Sequence, residues 1–80
     1  MSDIYQDFLS DFVRYVKERA LEARDERDRS VGEGEAHDFN SGRLMAFNEV
    51  VAIAIQHADG MGIELAELGL DDIEPDEDLV

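Results

Sequence analysis

Eighty residues leave room for one small domain, and 44 % hydrophobic against 35 % charged residues is a globular mixture rather than a disordered one. The chain has no cysteine, which excludes disulfides, thiol nucleophiles and cysteine-based metal centres. A net charge of −14 repels phosphate backbones and anionic lipid, and so argues against direct binding to nucleic acid or membrane.

From residue 3 to about 29 the spacing predicts one long helix, with Ser2 or Asp3 as its N-cap. At 100° per residue, Ile4, Tyr5, Phe8, Phe12, Val16 and Ala20 fall on one half of the wheel, opposite Asp7, Asp11, Arg14 and Glu18. Its last turns, Arg24 to Arg29, alternate in sign without an apolar stripe. They read as a solvated extension supported by Arg24–Asp28 and Asp25–Arg29 pairs.

A glycine-containing loop follows, and Asp38, or Asn40 with Ser41, is the expected cap of a second helix over about 38–59. Its apolar arc, which includes Phe47, Val50, Ile53, Ala54 and His57, covers more than half of the wheel. Val50 to Ile55 alone resembles a buried strand, but its flanks keep helical spacing and no second strand exists to pair with it. Gly60-Met61-Gly62 reads as a helix stop, followed by a short helix over 63–68 that Gly69 ends. Leu65, Leu68, Leu70 and Ile73 are expected to fold back on the hairpin as a lid.

The domain is thus expected to span 1–70, with 71–80 as an acidic C-terminal tail. Residues 61–80 carry eight acids and no base, so Glu64, Glu67, Asp71 and Asp72, with Glu74, Asp76, Glu77 and Asp78, form a candidate acidic partner surface. The tail lacks the central glycine and terminal glutamate of an EF-hand loop, leaving at most weak surface binding of divalent cations.

The predicted fold class is all-α: a long antiparallel hairpin plus a short C-terminal helix. Two helices packing only on each other need narrow stripes, whereas these have broad ones. The excess predicts a homo-oligomer, a dimer forming a four-helix bundle, through Phe8, Phe12, Val16 and Phe47 together with Val50, Ile53, Ala54 and His57. With the turn centred near residue 34, Arg19 stands opposite Asn48 and Glu49. An Arg19–Glu49 ion pair is therefore the expected register lock, and an anion-binding role for Arg19 is the alternative.

No catalytic arrangement is legible. Ser10, Ser30 and Ser41 have no histidine at helical spacing, and the loop serines read as caps. His37 with Asp38 and Glu35, or His57 with Asp59, could be read as metal ligands, but neither has the paired spacing of helix-bundle sites. The sequence predicts a non-enzymatic protein with no cofactor and no metal. Asp3 and Asp7 stand where a signal peptide has bases, and Val50–Ile55 falls far short of the roughly 20 residues of a membrane span, so the expected location is the cytoplasm.

Gly42-Arg43, Ala46-Phe47-Asn48-Glu49-Val50, Gly62-Ile63, Leu68 through Ile73 and Pro75 through Leu79 follow one another at a spacing that resembles a family of short, acidic, uncharacterised bacterial proteins. Some members of that family are linked to accessory or mobile genetic elements. The resemblance covers about half of the chain, with a weaker match over Tyr5 to Tyr15. It implies a bacterial origin and carries no activity. The functional expectation is a non-enzymatic interaction module or small helical scaffold, with a protein partner not identified. The alternative is an acidic mimic of nucleic acid that inhibits or regulates a basic DNA- or RNA-binding protein.

Overall fold

The computed structural model describes residues 3–80, and Ser2, one of the two expected caps, lies outside them. Helix α1 spans Ile4–Arg29 and α2 spans Glu35–Gly60, followed by a 3-10 turn at Leu65–Leu68 and a short helix α3 at Pro75–Asp78. No strand occurs among the described residues.

Asp3 caps α1, its carboxylate accepting from the Tyr5 amide at 2.9 Å. Helix α2 starts at Glu35 rather than at Asp38. Its N-cap is Gly34, at φ +61°, which offers no side-chain bond, and the Asp38 amide already donates to the Gly34 carbonyl at 3.0 Å. A search for capping side chains therefore starts the helix three residues late.

Both turns after α2 close in the same way. The Ile63 amide donates to the Ala58 carbonyl at 2.8 Å and the Gly62 amide to Asp59 at 3.2 Å, the paired bonds of a Schellman motif. Leu70 to Leu65 at 2.9 Å and Gly69 to Ala66 at 3.2 Å repeat it around the 3-10 turn. Gly62 and Gly69 occupy the left-handed positions, at φ +71° and +69°, where a side chain is strained.

The seam between α1 and α2 is built from small residues. Ala20 and Ala23 are fully buried and let the helices approach, while Val13, Leu44, Val51 and Ala58 fill the contact. Val13, Val16, Val51 and Ala54 line one narrow void, which fixes the expected antiparallel register.

Residues 70–80 are not a free tail. Leu70 and Leu79 are each 1 % exposed, and Ile73 and Pro75 are also buried. Burying a leucine or isoleucine side chain contributes about 1.5–3 kcal/mol, so these anchors offset part of the entropy lost in ordering the segment. The segment forms a strap along one side of the hairpin, running in the same direction as α1. Ser10 reaches the Glu67 carbonyl, Lys17 the Gly69 carbonyl, Arg24 the Asp78 carbonyl and Arg27 the Val80 carbonyl.

Candidate interaction faces

The strap sits in a groove whose polar walls belong to both long helices. Ser10, Lys17 and Arg24 recur every seven residues along α1 and so share a face. From α2, Asn48 donates its amide hydrogens to the carbonyls of Pro75 at 2.8 Å and Leu79 at 3.1 Å, clasping both ends of α3. Lys17 also pairs with Asp72 and, as the donor of a hydrogen bond to it, holds that carboxyl below its ordinary value. Beside the end of the strap, Leu44, Met45, Asn48, Leu79 and Val80 line an open cleft of about 530 Å³.

The predicted acidic surface lies on this strap and on the turn before it. Glu64, Glu67, Asp71, Asp72, Glu74, Asp76 and Glu77 are exposed, and Asp78 is half-buried, its carboxylate accepting from the Glu74 amide at 2.8 Å. Most of the acids are therefore held exposed on folded backbone, with Asp72 turned to Lys17 and Asp78 to the Glu74 amide, while six carbonyls accept from the hairpin.

The other flank of the hairpin is apolar and open. Phe8, Phe12 and Tyr15 on α1 are 67 %, 54 % and 55 % exposed, and Val50 and Ile53 on α2 are 46 % and 47 % exposed. Phe8 and Phe12 stack at 6.0 Å between ring centroids. Phe12 and Val50 border the same seam void, which brings the two apolar rows side by side. Of the remaining residues of the expected self-association face, Val16, Phe47 and Ala54 are half-buried against the core. His57 is exposed, its Nδ1 3.0 Å from the Ile53 carbonyl.

The expected Arg19–Glu49 ion pair does not form. Arg19 lies over the Tyr15 ring at 4.9 Å, bonds to the Tyr15 hydroxyl and pairs with Glu22 at 3.1 Å, all on α1. Glu49 is exposed and forms no ion pair among the described residues. The hydrogen bond that Arg19 donates to the Tyr15 hydroxyl raises its already high pKa further. The register is as expected, but Arg19 emerges on the open flank rather than at the seam. The inter-helix pair is instead Arg43–Glu26 at 2.7 Å, with Arg43 also over the Phe47 ring at 5.4 Å. The Arg24–Asp28 and Asp25–Arg29 pairs are likewise replaced, by Arg24–Asp25 at 3.6 Å and Arg27–Asp28 at 2.9 Å. Both Arg24 and Arg27 serve the strap, so the end of α1 is a working wall rather than a solvated extension.

Ser30 is the C-cap of α1, in keeping with the reading of the loop serines as caps, and it makes one contact that helical spacing does not give. Ser30 Oγ lies 3.5 Å from Nδ1 of His37, a pairing that the hairpin turn creates. Ser30 is buried, donates to the Arg27 carbonyl at 2.9 Å and accepts from Asn40 at 3.1 Å. Its hydroxyl proton is directed at a carbonyl rather than at the imidazole, so the contact ties the turn together. Among the described residues no group of three or more His, Asp and Glu side chains is gathered to hold a metal ion. Among the same residues no helix is long and apolar enough to cross a membrane.

Comparison with protein-family models, with curated proteins and with solved structures finds no match to this chain.

Proposed function

We propose that the chain is a non-enzymatic protein–protein interaction module that pairs with a second copy through the open flank of its hairpin. The observation that carries this reading is the contiguous apolar face of Phe8, Phe12, Tyr15, Val50 and Ile53. Aromatic side chains bury about 150–250 Å² each, so with its aliphatic neighbours this face offers on the order of 600 Å² per copy. Pairing two such faces would bury roughly 1,200 Å², the lower bound of stable, specific interfaces. Arg19 and Arg43 are each matched by a carboxylate on their own chain, so neither brings an unpaired charge to the face. Two copies would form a four-helix bundle with an acidic strap on each outer side. A bacterial, cytoplasmic setting belongs to the same proposal.

The test is sedimentation velocity from micromolar to millimolar concentration, with Phe12→Asp as the comparison. The wild-type chain should dimerise, more strongly as salt screens the −14 charges of the two copies, while Phe12→Asp stays monomeric with unchanged helical circular dichroism. A wild-type chain that is folded and monomeric throughout this range refutes the proposal.

The docked strap supports a second reading, mimicry of nucleic acid, because its carboxylates stand on an ordered surface as a phosphate mimic requires. That reading expects salt-sensitive binding to a basic nucleic-acid-binding protein and competition with the nucleic acid. Binding that survives high salt rejects it.

A further inference from the structure

The contacts that hold the strap are of an unusual kind for the last element of a small core. Five side chains of the hairpin, Ser10, Lys17, Arg24, Arg27 and Asn48, donate to six main-chain carbonyls between Glu67 and Val80. Three aliphatic side chains, Leu70, Ile73 and Leu79, enter the groove at the first, fourth and tenth positions of the segment. Carbonyl contacts give affinity for any backbone of the right course, and spaced apolar anchors give selectivity, which is how grooves read peptides. Charge adds one matched contact, the Lys17–Asp72 ion pair, and two further bases, Arg24 and Arg27, line the wall against a strap that carries six carboxylates.

We infer that the groove between α1 and α2 is a peptide-binding site occupied in cis by the strap, and that its occupant in trans is an acidic peptide segment of a partner protein with aliphatic residues at this same spacing. The strap is then an autoinhibitory ligand. Release is favoured by the edge position of the segment, in which Asp71, Asp72, Glu74, Asp76, Glu77 and Val80 are solvent-exposed, and by its attachment to the rest of the chain at one end only, through the left-handed turn at Gly69. The donors of this site lie on the flank of the hairpin away from Phe8 and Tyr15, and only Leu70 reaches the seam void that Phe12 and Val50 border.

The test uses the full chain and, as probe, a fluorescent peptide with the sequence of residues 69–80. A second probe replaces every Asp and Glu by Asn and Gln. Leu79→Asp loosens the strap while leaving the groove intact. A closed strap lowers apparent affinity in proportion to the open fraction, so this variant should bind the acidic probe about ten-fold or more tightly than the wild-type chain. Adding Asn48→Ala should remove the gain, and the amide probe or high salt should weaken binding. A folded Leu79→Asp chain that binds the probe no better than wild type overturns the inference. If Leu79→Asp loses its helical signal, Leu79→Ala takes its place in the same comparison. Loss of the hairpin in both variants overturns the inference, because the strap would then be inseparable from the core. Dimerisation that persists in Phe12→Asp and is abolished by excess probe would mean that straps exchange between copies, and would overturn a separate partner.

Discussion

Asn48 gives the sharpest test of how the strap is held. Both of its acceptors are carbonyls, so its side chain must present the NH₂ group to them, and the orientation of the amide follows from chemistry alone. Each such hydrogen bond contributes about 0.5–1.5 kcal/mol net, so Asn48→Ala should cost about 1–3 kcal/mol. For a domain of this size 1 kcal/mol corresponds to roughly 4–8 °C in Tm, which sets the expected drop at about 5–20 °C. Asn48→Asp should cost more than alanine, since it turns a carboxylate towards two carbonyl oxygens. Thermal unfolding followed by circular dichroism measures both, with the exposed substitution Gln56→Ala as control. Hydrogen exchange locates the loss, which should concentrate in residues 70–80 and spare the centres of α1 and α2. An aspartate variant as stable as wild type would refute the assigned clasp.

The turn, the hinge and the acid response give three further expectations. Ser30→Ala strips the shared partner from Asn40 and should lower stability by about 1–3 kcal/mol, read from a denaturant midpoint at unchanged m-value. Gly69→Ala meets no neighbouring atom within 4 Å, so its cost, about 1–2 kcal/mol by denaturant titration, should come from the left-handed backbone alone. Asp72 is held below its ordinary carboxyl value by Lys17, so its contribution is fully present above the unfolded pKa of about 3.9 and is lost as pH falls through the lower folded value. Strap exchange rates in wild type should therefore rise below about pH 4, and Lys17→Met should remove that component.

The hairpin was legible because helical periodicity survives in both long segments, although the broad arc that held the buried Ala20 also held Ile4, Tyr5, Phe8 and Phe12, which are exposed. What escaped was the work done by polar residues. Arg19 and Glu49 face each other in register, but a small rotation about each helix axis decides whether an arginine meets the opposite helix or its own Tyr15 and Glu22. Leu70 and Ile73 were expected to fold back on the hairpin and are buried against it, whereas the rest of the strap was hidden because Pro75 and Leu79 continue no period and are diluted by carboxylates. A signal for it was present in α1, where Lys17, Arg24 and Arg27 share a flank and Lys17 finds no carboxylate partner on its own helix. The Ser30–His37 approach required the hairpin turn itself, since the pair straddles a helix boundary.

The order of the strap along the chain has a consequence for folding. Its bonds to α1 join residues 52 to 57 positions apart, whereas Arg43–Glu26 and Asn40–Ser30 join residues 17 and 10 apart. Loop closure for the turn costs little entropy, and α1 and α2 can zip outward from it before the later segment is available to either of them. Neither wall of the groove offers its donors in the right places until that zipping is complete. During synthesis the two long helices precede the strap, so Leu44 and the donors of Lys17 and Asn48 are made before the partners that cover them. The groove is thus the product of the hairpin's own folding, and the strap closes it as the last step rather than shaping it.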